Sequence, residues 1–210
     1  MQVRNSPNCG PRRDGLTPTM VVIHYTAMQD AACALDRLCD PAAEVSAHYL
    51  VCTHGSVTQM VDEAARAWHA GAGEWGGLDD INSRSIGIEL DNRGSHPFSA
   101  PQMDALEDLL RGIMARWDIA SDSVIGHSDM SPGRKADPGP HFDWVRLERQ
   151  GLAARGLPVT VGTYDTVAFT RAAQAAGYTA PCDIDTLLYT TRLRHAPWRT
   201  GPLTRADFTF

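Results

Sequence analysis

Apolar and polar positions recur with two different periods along the chain, and the changes of period mark out its elements. Met20-Val21-Val22-Ile23-His24-Tyr25-Thr26 is a β-branched apolar run of interior-strand length, with an imidazole set into it. Residues 31–39, with leucines at 35 and 38, predict a short helix stopped by Asp40-Pro41. Residues 47–52 and 57–61 flank His54-Gly55-Ser56 and read as a β-hairpin. Residues 62–68 read as a short helix, and the glycine-rich stretch 71–77 as a loop. In Ser85-Ile86-Gly87-Ile88-Glu89-Leu90-Asp91 the period is two, with Ile86, Ile88 and Leu90 on one face and Gly87, Glu89 and Asp91 on the other. Over 101–117 it lengthens to that of a helix. Proline stands near the start, acidic residues come early, and Leu106, Leu109, Leu110, Ile113 and Met114 form a stripe. A short strand, Val124-Ile125-Gly126, leads into a loop at 128–140, and a helix follows at 144–150.

Strands and helices interleave without a strict βαβ rhythm. The expected fold class is therefore α/β, a central mixed β-sheet flanked by α-helices. Near Leu157-Pro158 the character changes. Residues 1–156 are read as one domain and 157–210 as a small helical extension with one clear helix, at 165–176.

Composition narrows the class. With 43% hydrophobic and 21% charged residues among 210, the chain can bury a core. A net charge of −6 gives no reason to expect nucleic acid or an anionic membrane surface as partner. No apolar run is long enough to span a bilayer, and the N-terminus lacks the apolar core of a signal peptide. The expected location is the cytoplasm, or the periplasm if a leader has been removed. Cys9, Cys33, Cys39, Cys52 and Cys182 are odd in number and form no Cys-x-x-Cys pair, so they read as free thiols rather than a disulfide framework or zinc ligands.

Three polar groups stand where a plain core strand would not place them. His24 interrupts one strand, His127 ends another, and Asp137 follows ten residues later in Arg134-Lys135-Ala136-Asp137-Pro138-Gly139-Pro140. Two imidazoles and a carboxylate form a donor set for a catalytic zinc, with a fourth position left for water. Spacing alone leaves a plainer reading open, a hydrogen-bonded core histidine and an ordinary Asp-Pro turn.

Five ordered motifs carry a resemblance. Val22-Ile23-His24-Tyr25-Thr26, Val45-Ser46-Ala47-His48-Tyr49, Ala67-Trp68-His69-Ala70-Gly71, Asn82-Ser83-Arg84-Ser85-Ile86-Gly87-Ile88-Glu89-Leu90, and Gly126-His127 through Pro140 resemble the type 2 N-acetylmuramoyl-L-alanine amidases. These belong to the superfamily of the peptidoglycan recognition proteins. The resemblance spans residues 5–150 or so. It implies one zinc ion per chain held by His24, His127 and Asp137, with Glu89 and Lys135 catalytic. It also implies hydrolysis of the lactyl–L-alanine amide of peptidoglycan fragments in cell-wall turnover. His48, Trp68, His69 and Asn82 are candidate substrate-binding residues, and Asp91, on the same strand face as Glu89, is the competing base. Lys135 is the only lysine among nineteen basic residues. A compact ammonium suits an oxyanion better than a spread guanidinium does.

The expected partners are muropeptides, not nucleic acid or membrane, with the chain a monomer or weak dimer. Two alternatives stand beside this reading: a recognition module that binds without cutting, and a periplasmic or phage-type lytic amidase. Residues 157–210 faintly resemble a small three-helix peptidoglycan-binding domain through Ala172-Ala173-Gln174-Ala175-Ala176-Gly177-Tyr178 and Gly201-Pro202-Leu203-Thr204, but one helix short. A degenerate extension packed on the catalytic domain is the expectation there.

Overall fold

The computed structural model describes residues 1–210. Its strands are β1 (Gln2–Val3), β2 (Cys9–Pro11), β3 (Met20–Tyr25), β4 (Tyr49–Val51), β5 (Val57–Gln59), β6 (Ala65–Ala67), β7 (Ser85–Leu90) and β8 (Val124–Gly126). Its helices are α1 (Ala31–Leu38), α2 (Ile81–Arg84), α3 (Ala100–Trp117), α4 (His127–Met130), α5 (Trp144–Arg149), α6 (Thr166–Ala175) and α7 (Ile184–His195). Six strands form one mixed sheet in the order β1-β5-β4-β7-β3-β8, as the interleaving of elements implied. β3 pairs in parallel with both β7 and β8, and β4 pairs in parallel with β7 and antiparallel with β5.

The period-two pattern sorts the core onto the two faces of that sheet. Val21, Ile23, Ile86, Ile88, Leu90 and Val124 look to one side, where Met103, Leu106, Leu110 and Ile113 of α3 meet them. Ser99 caps α3 by accepting the Gln102 N–H, proline occupies its first turn, and Asp118 ends it in the left-handed conformation. Each of those four helix side chains is at most 2% exposed. Each contributes about 1.5–3 kcal/mol by burial.

On the opposite face Met20, Val22 and Ile125 share a second core with Phe169, Ala173, Tyr178, Leu187, Leu188 and Phe208. The 157–210 segment therefore packs on the sheet through α6 and α7. α7 also buries Arg194 against Asp129 at 2.9 Å, and its guanidinium lies over the Trp144 ring at 4.1 Å. A buried charge that lost this partner would cost about 3–5 kcal/mol, so the pair pins α7 to the turn after β8.

Three local expectations are corrected. The helix expected at 62–68 is instead β6, antiparallel to β2 with Cys9 opposite Ala67. Asp62 accepts the Ala64 N–H in a tight turn, and the ladder with β2 outweighs the helix propensity of the alanines. The loop expected from residue 128 begins with a helical turn, α4. The extension holds a second full helix, α7, capped by Asp183. All five cysteines are free thiols, and no helix is long and apolar enough to cross a membrane.

Candidate metal centre and active site

Strand register assembles the site. His24 near the end of β3 lies directly opposite Glu89 on β7, and Ile23 lies opposite Gly126, so His127 leaves β8 on the other flank of His24. The carboxyl ends of parallel strands are where open α/β sheets collect their ligands. Asp137 returns to this edge because its carbonyl accepts the Ser128 N–H at 2.9 Å, closing the intervening loop. Glycine at 126 lets the loop come close, since a Cβ there would stand 2.7 Å from Cδ of Pro138.

His24 Nδ1, His127 Nδ1 and Asp137 Oδ2 form a triangle with edges of 2.9, 2.9 and 3.0 Å. The three residues are 1%, 3% and 8% exposed. Three atoms in a triangle, with corners of about 60°, cannot all be joined by near-linear hydrogen bonds. A tetrahedral zinc with bonds of about 2.0–2.1 Å spaces its donors roughly 3.3 Å apart, so this triangle needs to open by only a few tenths of an ångström. The donor set, two imidazoles and one carboxylate, is that of a catalytic zinc site. Burial, with His127 alongside, lowers the His24 pKa to about 4, so the ring is neutral at pH 7 and has a lone pair to offer.

These groups line a cleft of about 390 Å³ together with Glu89, Lys135, Trp68 and His69. Glu89 Oε2 is buried with no hydrogen-bond partner. Burial first, and Asp137 second, push the Glu89 carboxyl up to about 8, with Lys135 pulling the other way. A carboxyl whose affinity for a proton is balanced near neutrality can take up a proton and give it back. Asp91 is not a competitor. It is 8% exposed and lies outside the lining of the cleft that holds Glu89.

Two of the four candidate substrate-binding residues do not reach the cleft. His48 is fully buried, its Nδ1 accepting the Gly87 N–H at 3.0 Å and its Nε2 facing the Ala65 carbonyl at 3.2 Å. Asn82 spends its side-chain oxygen on the backbone N–H groups of His69 and Ala70, at 3.0 and 2.8 Å. Both are drawn inward by backbone groups that need partners. Conversely, Tyr25 and Arg37 line the cleft without having been singled out. Tyr25 follows His24 in its motif, which is a usable signal. Arg37 depends on where α1 docks, and nothing local in the sequence reveals that.

A family model described as N-acetylmuramoyl-L-alanine amidase matches residues 14–140. The N-acetylmuramoyl-L-alanine amidase AmiD of Escherichia coli (strain K12) is 42% identical over 151 residues, covering 64% of this chain and 54% of AmiD. The chain thus spans about half the length of that relative. The 1,6-anhydro-N-acetylmuramyl-L-alanine amidase AmpD of the same strain is 34% identical over 159 residues, covering 68% of this chain and 87% of AmpD. The solved structure of E. coli AmiD, in complex with the substrate anhydro-N-acetylmuramic acid-L-Ala-D-γ-Glu-L-Lys, matches with a TM-score of 0.81. It is 31% identical and covers 98% of this chain and 89% of that one.

Proposed function

The chain belongs to the N-acetylmuramoyl-L-alanine amidase family, and on that premise we propose that it is a zinc-dependent amidase of peptidoglycan turnover. The bond it cuts is the amide between the lactyl group of muramic acid and L-alanine. The observation that carries this reading is the row Glu89–His24–His127 across adjacent parallel strands, closed by Asp137. One zinc held by His24, His127 and Asp137 supplies, when bound, an acidified water and a polarised carbonyl.

The rest of the work falls to the chain. Glu89, with Oε2 unpaired at the cleft, takes the proton from the attacking water and delivers it to the departing amine nitrogen. Lys135, in the same cleft, places a full positive charge where the carbonyl oxygen turns anionic. Trp68 offers an apolar wall for the substrate. The extension at 157–210 serves as a brace for the turn carrying His127, a role that the buried Asp129–Arg194 pair supports.

Relatives named for anhydro-muramyl substrates make soluble anhydro-muropeptides the first substrate class to test. Incubated with zinc-loaded protein, an anhydro-muropeptide is expected to release a free peptide beginning with L-alanine, detected by mass spectrometry. Tight binding of the intact muropeptide without release would overturn the amidase reading and favour a recognition module.

A further inference from the structure

A backbone carbonyl can only accept hydrogen bonds, so the direction of a hydrogen-bond chain that ends on one is fixed. Ser85 Oγ lies 2.5 Å from the Ile81 carbonyl, so the serine O–H donates to that carbonyl. The contact of Ser85 Oγ with His69 Nε2, at 3.2 Å, must then run from Nε2–H to the hydroxyl. The His69 ring is half-buried, meets the imidazoles of His24 and His48 edge-on and has no carboxylate among its hydrogen-bond partners, so it carries a single N–H. Its Nδ1 is therefore a bare acceptor. That atom is 3.0 Å from His24 Nε2, which must be the donor. His24, with its proton on Nε2, is left with a lone pair on Nδ1, the corner of the metal triangle.

The second imidazole is set from the neighbouring residue. His127 Nε2 faces the Ala70 carbonyl at 2.9 Å and can only donate to it, which leaves His127 Nδ1 bare as well. Arg134 donates to the same carbonyl at 2.7 Å, so both of its lone pairs are engaged. Asn82 holds this segment through the two successive amides of His69 and Ala70. Strand β7 leaves room for the ring with glycine at 87, where a Cβ would stand 2.4 Å from the His69 ring.

We propose that His69 and Ser85 are positioning residues which, with the Ala70 carbonyl, lock both metal-facing imidazoles in the tautomer with a free Nδ1 before any ion arrives. The consequence is that two neutral nitrogens and a carboxylate oxygen face one another within 3.0 Å. That arrangement is satisfied by a cation. Zinc then needs no tautomer exchange at either ring when it binds. Partners of this kind behind ligating histidines typically hold about 10–100-fold in metal affinity.

The inference rests on the metal-centre reading above, and the test separates the two. Nitrogen NMR of the metal-free 210-residue chain should find His24, His69 and His127 all protonated at Nε2. In Ser85→Ala the His69 proton loses its acceptor, and His24 should shift toward Nδ1–H while His127 keeps Nε2–H. Zinc affinity, read by competition with a chromophoric chelator, should fall about 10–100-fold. Ser83→Ala, which removes a buried hydroxyl outside the relay, should leave it unchanged.

At position 69, glutamine keeps one acceptor and one donor, so His69→Gln should retain more affinity than His69→Leu. A wild-type His24 protonated at Nδ1, an unchanged zinc affinity in Ser85→Ala, or equal losses in the two position-69 variants would overturn the relay. A wild-type chain with the expected tautomers that binds no zinc would instead count against the metal-centre reading.

Discussion

Asp137→Ala is expected to lose bound zinc and, with it, muropeptide cleavage to below detection. The change leaves two protein ligands where a catalytic zinc takes three, and it removes the only negative charge in the triangle. Asp137 is 8% exposed, its Oδ2 sits 2.9–3.0 Å from both ring nitrogens, and it is the carboxylate whose oxygen clusters with them. Chelation of the wild-type protein should reproduce the loss, and added zinc should restore activity in the wild type but not in the variant. Retention of full cleavage by Asp137→Ala, or by chelated wild-type protein, would show that the reaction does not need this centre.

Glu89→Gln should bind one zinc per chain as the wild type does and yet turn over about 10²–10⁴-fold more slowly, the usual worth of a positioned acid–base group. Glutamine keeps the shape of the side chain and removes the proton exchange. A drop in KM-type binding with kcat intact would assign Glu89 to substrate positioning instead.

The same residue gives a pH-dependent stability test. In the metal-free chain its carboxyl is raised from 4.5 to about 8, burial first and Asp137 second. An acid whose folded pKa is raised contributes stability that is fully present below about pH 4.5 and is lost as pH rises toward 8. Metal-free Glu89→Gln should therefore gain on the wild type in thermal melts across that window, by roughly 3 kcal/mol at pH 7. A relative gain that shrinks as pH rises would refute the burial of that carboxyl.

The functional strands were legible because their chemistry violates their own pattern. An imidazole in Met20-Val21-Val22-Ile23-His24-Tyr25 and a carboxylate in Ser85–Leu90 are costly in a core unless something uses them, and period two told which face each took. The long amphipathic helix α3 was equally plain, because its stripe, proline and cap agree with one another. β6 was hidden for the opposite reason. Its alanines favour helix locally, and the partner that makes it a strand, β2, lies more than fifty residues earlier in the chain. α7 begins at a good Asp183 cap, but its Thr190-Thr191 pair and weak stripe blur the helical period.

Within the site, His24, His127, Asp137 and Glu89 do converge, and their convergence depends on strand register that motif spacing cannot supply. His48 and Asn82 look like cleft residues in sequence because they sit within the same motifs. Their side chains serve buried backbone amides instead. The His24–His69–Ser85 relay joins three strands or loops and was invisible for the same reason: each link depends on register and not on neighbourhood in the chain.

The central claim is that His24, His127 and Asp137 hold a single zinc at the carboxyl edge of β3 and β8. Anomalous diffraction at the zinc absorption edge, on crystals of the protein supplied with one equivalent of zinc, addresses it directly. The account requires one peak about 2.0–2.1 Å from His24 Nδ1, His127 Nδ1 and Asp137 Oδ2. Zinc found elsewhere on the chain, with these three side chains unligated, would contradict it.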